Sequence, residues 1–174
     1  MAVVADKAAS KVGGGGRSDW RWKLIAAGIV VVVIIAGLIA LHVRSNSIEN
    51  KRHGEAVAAA RVAALNFVNL DYRTFSRDTA RVLAGSTGQF KQEYANGIKQ
   101  LSTLVNTDKA ISKGSIVDAG FVSGHGNNAR VVVSADSEIT NESLAAPTIR
   151  HYRLQIDLVR QNGQWLVSGM QFVG

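Results

Sequence analysis

Asp71, Tyr72 and Arg73 set a carboxylate, a phenol and a guanidinium side by side, the most reactive-looking run in the chain. They fall between two predicted helices, where they can line a pocket or an interface. Asp at a helix boundary and Tyr as a core aromatic with a wet hydroxyl have ordinary structural uses as well. The remaining candidates carry less. Gly124-His-Gly126-Asn-Asn-Ala129 spells G-x-G-x-x-A, but a dinucleotide loop must open a helix whose N-terminus receives the pyrophosphate, and here a predicted strand follows, so the run reads as a hairpin turn. Gly85-Ser-Thr-Gly88 places hydroxyls between glycines without the strand-to-helix elbow a nucleophilic Ser needs, and reads as a helix stop followed by the next helix cap. His42, His53, His125 and His151 are scattered, with none in an i, i+4 pair. Asp136 and Glu138 share the polar face of a strand, which suits solvation better than acid-base work. The chain has no Cys, which excludes disulfides, thiolate metal sites and cysteine nucleophiles together. Asn141-Glu-Ser143 is a glycosylation sequon only in a host that glycosylates such sites. The expectation is a protein that is not an enzyme, with no catalytic residue, cofactor or metal, and with Asp71, Tyr72 and Arg73 as the pocket or interface candidates.

The elements that would position these groups follow from periodicity. Asn46 and Glu49 resemble a capping box, and Val62, Leu65, Val68 and Tyr72 recur at helical spacing, so a first helix is expected to pack through that face. A second runs from Thr74 to Leu83 and stops at Gly85. A third starts at Ser86 or Thr87, with Gln89 completing a box, and carries Phe90, Tyr94, Ile98, Leu101 and Val105 as a core stripe. Past Asp108 the period drops to two. Ile111 to Val122, Ala129 to Ile139, Tyr152 to Leu158 and Trp165 to Phe172 read as strands, the last two joined by the hairpin signal Asn162-Gly163. The predicted class is α+β: three helices on one face of a four-stranded antiparallel meander. Trp165 and Val167 are expected to face inward onto the stripe of the third helix.

Ahead of this domain lies Leu24 to Val43, 20 residues without Lys, Arg, Asp or Glu; at about 1.5 Å per residue such a helix spans a bilayer's hydrocarbon core. Trp20 and Trp22 stand where interfacial anchors belong. The length exceeds that of a cleaved signal peptide's apolar run, about 7 to 15 residues. Lys11, Arg17, Arg21 and Lys23 precede the span and Arg44, Lys51 and Arg52 follow it. This slight bias, together with the mass behind the span, predicts a cytoplasmic N-terminus and an extracytoplasmic domain. Of the formal net charge of +7, residues 1–52 carry eight basic and three acidic side chains, leaving the domain near neutral. The net charge is therefore a poor argument for DNA or RNA binding, no nucleic-acid partner is expected, and the surplus belongs near a membrane. The expected organisation is 1–23 a disordered cytoplasmic tail, 24–43 the transmembrane helix and 44–174 the outer domain.

Several segments in combination carry a family likeness: Ala63-Ala-Leu-Asn-Phe67, Leu70-Asp-Tyr-Arg-Thr74, Arg81-Val-Leu83, Gly85-Ser-Thr-Gly-Gln-Phe90, Glu93-Tyr94, His151-Tyr-Arg-Leu-Gln-Ile-Asp-Leu158, Gly163-Gln-Trp-Leu-Val167 and Gln171-Phe-Val-Gly174. Behind a single span, residues 20–174 resemble the Mce-associated membrane proteins of mycobacteria and related actinobacteria. The resemblance implies a single-pass envelope protein that stabilises Mce-type lipid importers. Its partners would be Mce transporter subunits and other Mce-associated membrane proteins, and it would have no catalytic residues. The domain is similar to the NTF2-like cone, and its layout to VirB8-type proteins of secretion assemblies; likeness of shape does not assign function. Two alternatives stand beside the accessory subunit: a lipid-binding module whose cone encloses an apolar ligand, and an NTF2-like isomerase or dehydratase with a buried carboxylate or His. A filled core favours the accessory subunit, an empty apolar pocket the lipid module, and a polar titratable pocket the enzyme.

Overall fold

The computed structural model describes residues 18–174; the side chains of residues 18–33, 40, 41, 43, 45 and 46 lie outside that description. The chain divides into two units, Met1–Asn46 and Ser47–Gly174, each described by itself. In the first, the backbone from Ser18 onward belongs to helix α1 (Ser18–Val68). The predicted tail up to Arg17 lies outside the described residues, as do most side chains of the predicted span Leu24–Val43. Of that span residues 34–39 and His42 are described, and all are exposed, Ile34, Ile35, Leu38 and Ile39 among them. Among the described residues no helix is long and apolar enough to cross a membrane.

In the second unit α1 continues; the Asn46 side chain, on which the expected capping box rests, lies outside the described residues, but no helix begins there. The backbone is helical on both sides of Asn46, and Glu49 instead accepts from Arg52 at 3.4 Å and faces His53 at 3.6 Å. The packing face is only partly the one expected, since Val68 is buried as expected whereas Val62 and Leu65 are not. Ala56, Ala60 and Ala64 are 0% exposed and Val68 5%, a stripe at i, i+4 spacing, while Val62 at 60% and Leu65 at 37% point away. Tyr72 has left the helix for a 3-10 turn. The physical reason is distance: alanine lets the helix axis approach the sheet, and the larger apolar side chains stand on the far side. Gly114 makes the approach tightest, since a Cβ there would overlap the Val68 side chain.

The sheet has five strands, one more than expected. β1 (Leu70–Asp71), β2 (Ile111–His125), β3 (Asn128–Thr140), β4 (Thr148–Gln161) and β5 (Gln164–Phe172) lie in that spatial order, every neighbouring pair antiparallel. The addition is β1, which pairs Leu70 with Ser112 and Asp71 with Ile111 and is too short to show a period. Val131, Val133, Leu154 and Ile156 are fully buried beneath α1, with Ala129, Ala135, Leu158 and Val167 beside them. Each such aliphatic side chain is worth about 1.5 to 3 kcal/mol when removed from water. The turn between β4 and β5 takes the left-handed region at both Asn162 (φ 49) and Gly163 (φ 82), as its sequence signalled. Gly124 and Gly126 belong to the β2–β3 hairpin, whose end pair is His125 with Asn128; the glycine run is a turn and opens no helix.

Two further helices close the domain. α2 (Phe75–Ala84) and α3 (Gly88–Thr107) follow a 3-10 turn at Tyr72–Thr74, so the helical count also departs from three. The box expected around Ser86 and Gln89 is absent: the Ser86 hydroxyl donates to Val82 O at 2.6 Å and Gln89 to Glu93. The segment between α2 and α3 is instead fastened to β5, with Thr87 N–H donating to Val167 O at 2.8 Å and Val167 N–H to Gly85 O at 2.9 Å. Of the α3 stripe only Val105 is buried; Phe90, Tyr94, Ile98 and Leu101 are half-buried. Phe90 meets Tyr94 and Tyr94 meets Phe67, which in turn meets Phe172 at 6.1 Å between ring centres. Val167 is buried as expected, whereas Trp165 is half-buried at the margin of the core.

Candidate functional site

Asp71, Tyr72 and Arg73 come together where β1 passes through the 3-10 turn into α2. Asp71 is the N-cap of that turn: its carboxylate accepts Arg73 N–H at 2.9 Å and takes the Arg73 guanidinium through both oxygens. The hydrogen bonds from the Arg73 side chain hold the Asp71 carboxyl down at about 2, despite opposition from its desolvation. Asp71 is therefore ionised at any ordinary pH, which suits an ion-pair partner and excludes a proton donor. Arg73 lies over the Tyr72 ring at 5.8 Å, and Tyr72 N–H donates to Ala110 O at 3.1 Å. The three residues form a braced corner of the surface.

The group beneath this corner is Asp78, which sequence reasoning missed. Its side chain is 4% exposed on the first turns of α2. Oδ2 accepts Asp71 N–H at 3.1 Å and the Thr74 hydroxyl at 2.8 Å; Oδ1 accepts from Arg81 at 2.8 Å, with Arg77 Nε farther off at 3.7 Å. Every strong contact of this buried carboxylate serves to join β1, the turn and α2. The available signal was local: Thr74, the residue preceding α2, stands four before Asp78, and Arg81 three after it on the same helix. Tyr94, half-buried on α3, has its phenol pushed up first by burial and then by the Asp78 charge, so it stays protonated.

The other titratable groups lie apart. His151 on β4 faces Asp136 on β3, with Nδ1 and Oδ1 2.7 Å apart on the outer face of the sheet, where both are accessible. Glu138 does not join them. His53 stacks on Phe121 with ring centres 3.9 Å apart. The Ser86 hydroxyl is buried and committed to Val82 O. Among the described residues no group of three or more His, Asp or Glu is placed to hold a metal ion. Between α1 and the sheet the interior is occupied by the alanine stripe and the strand aliphatics. What the arrangement offers chemically is a fixed surface of guanidiniums backed by carboxylates.

Comparison with known proteins agrees with this fold. The solved structure of an IcmL-like type IV secretion system protein from Legionella pneumophila superposes with a TM-score of 0.58 at 10% identity, covering 67% of this chain and 88% of that one. VirB8 of Agrobacterium tumefaciens gives 0.55 at 10% identity over the same shares. At such identities the likeness is one of fold, and it supports the VirB8-type, NTF2-like layout read from the sequence. The uncharacterized protein Rv1363c of Mycobacterium tuberculosis (strain H37Rv) is 28% identical over 152 residues, 86% of this chain; the chain spans 58% of that relative's length. The model of the family described as "Uncharacterized protein Rv1363c/MT1408-like" matches residues 23–174, and the chain belongs to that family.

Proposed function

We propose that this chain is a non-enzymatic accessory subunit that stabilises an Mce-type lipid importer in the cell envelope. A single N-terminal membrane helix over 24–43 holds it with the N-terminus cytoplasmic and the α+β domain extracytoplasmic. The observation that carries the reading is the close packing of α1 on the sheet. Ala56, Ala60 and Ala64, without exposed surface, press α1 onto Val131, Val133, Leu154 and Ile156; an enclosed lipid would need the volume these side chains occupy. The buried carboxylate that an isomerase would require is present as Asp78, but its oxygens are taken by Asp71, Thr74 and Arg81. With the inside committed to packing, the working parts are the anchor and the outer surface. The VirB8-type fold, found in components of secretion machines such as the IcmL-like protein, suits such a role.

Deletion of the chain tests this directly. Transporter subunits in the membrane fraction should fall severalfold, uptake of a labelled fatty acid or sterol should fall in parallel, and a wild-type copy should restore both. Unchanged subunit levels with unchanged uptake would end the proposal.

A further inference from the structure

The 3-10 turn and α2 carry Arg73, Arg77 and Arg81 at i, i+4, i+8 spacing, with side chains 61%, 68% and 45% exposed. Arg77 and Arg81, both within α2, lie about 5 to 6 Å apart on one side of the helix, and Arg73 stands beside Arg77 at the head of the same ridge. Their counter-charges are not equally exposed. Asp78 is 4% exposed and lies behind the ridge; Asp71 is 22% exposed, with both oxygens taken by Arg73. Each guanidinium has five donors. Arg73 gives Nε and Nη2 to Asp71, and Arg81 gives Nη2 to Asp78. Arg77, 3.7 Å from Asp78, makes no hydrogen bond to it and keeps its donors for something outside. A shallow depression lies between Arg73 and Arg77, lined also by Thr74, Ser76 and Ala80.

We infer that this ridge is the surface through which the domain docks an acidic segment of a partner protein, with one partner carboxylate seated between Arg73 and Arg77. This rests on the accessory-subunit reading and names the chemistry of its contact. Charge complementarity selects the occupant: Arg73, held in place through both oxygens of Asp71, and its neighbour Arg77, with its guanidinium donors free of hydrogen bonds to Asp78, suit recognition of a carboxylate between them. A membrane surface is the poorer fit. The exposed positions of α2 are Ser76, Arg77, Ala80, Arg81 and Ala84, which include no large apolar side chain to enter a headgroup layer.

The test uses the full chain purified in mild detergent, as wild type, Arg77→Glu and Arg77→Gln. Transporter subunits retained on the wild type at 0.15 M NaCl should drop about tenfold on Arg77→Glu and less on Arg77→Gln, as reversal and removal of an interface charge predict. Raising NaCl to about 0.5 M should release them from the wild type, since salt shortens the range of exposed charges. Melting temperatures within a degree or two of wild type would show that the variants fold. A deca-glutamate peptide should bind wild type about tenfold more tightly than Arg77→Glu, giving a readout that persists even where no transporter subunit co-purifies and the functional reading itself fails. Full retention of subunits by Arg77→Glu would overturn the ridge while leaving the accessory role standing. Equal peptide binding by the two proteins would overturn it as well, as would a defect confined to binding of phosphatidylglycerol vesicles, which would assign the ridge to the membrane.

Discussion

Asp78 illustrates how one side chain can decide the conformation of a whole corner. A buried carboxylate is tolerated only when its oxygens are paired, and here a backbone N–H, a hydroxyl and a guanidinium pair them. Asp78→Ala leaves Asp71 N–H and the Thr74 hydroxyl without this acceptor. At about 1 to 3 kcal/mol for a buried group left unpaired, the loss should reach roughly 2 to 4 kcal/mol. Asp78→Asn, which keeps an acceptor oxygen, should lose less. Chemical unfolding of the full chain measures both, and an Asp78→Ala protein as stable as wild type would show that the contacts are incidental. Sequence alone made Asp71, Tyr72 and Arg73 visible as a cluster but not what holds them. An Asp within a short polar helix reads as solvated, and its burial depends on β1, a two-residue strand that no periodicity announces. Asp136 and His151 were hidden for a related reason, since their pairing depends on the register between β3 and β4.

At the scale of elements, the strands were the most legible parts, because alternation over eight or more residues leaves little freedom about which face is inner. Helix α1 was legible as a helix and only partly as a face. Weighing side chains by hydrophobicity favours Val62 and Leu65, whereas the sheet selects the smallest residues, Ala56, Ala60 and Ala64, because they permit close approach. The two assignments separate cleanly by mutation. Ala60→Leu adds bulk to a filled interface and should cost about 1 to 3 kcal/mol, while Val62→Ala on the exposed side should stay within about 0.5 kcal/mol. Thermal unfolding of both proteins checks this, and a larger loss from Val62→Ala would reverse the assignment. The same proximity helps protect the long edge of β2. Beyond its two-residue pairing with β1, this strand is irregular opposite β3 between Ile116 and Asp118 and between Phe121 and Ser123. Two of its backbone N–H groups are taken by side chains: Gly114 donates to Asn69 Oδ1 at 2.7 Å and Ala119 to Asp118 Oδ1 at 2.8 Å. Irregularity and side-chain capping are recognised ways to keep an edge from recruiting another strand.

For the whole molecule, charge and hydropathy divide the labour. Residues 1–52 hold eight basic and three acidic side chains around an uncharged stretch of 20, while the remainder is nearly neutral and folds on its own strands and helices. An uncharged run of that length in water would expose apolar surface with nothing to cover it, whereas in a bilayer a helix satisfies its own backbone and the flanking Lys and Arg meet the headgroups. On the proposed topology, the basic residues ahead of the run would keep the N-terminus in the cytoplasm and leave the domain outside. Alkaline phosphatase fused after Gly174 should accordingly be active, a cytoplasm-only reporter at the same place inactive, and the mature protein should retain its N-terminus rather than begin near His42. Replacing Ile34 and Ile35 with Asp supplies the control. At about 2.5 to 3.5 kcal/mol for each charge at the centre of a membrane helix, two should release the chain from the membrane fraction and silence the phosphatase. An active cytoplasmic reporter after Gly174 would reverse the orientation, and a double-Asp variant that stayed in the membrane with an active phosphatase would show that Leu24–Val43 is not what holds it there.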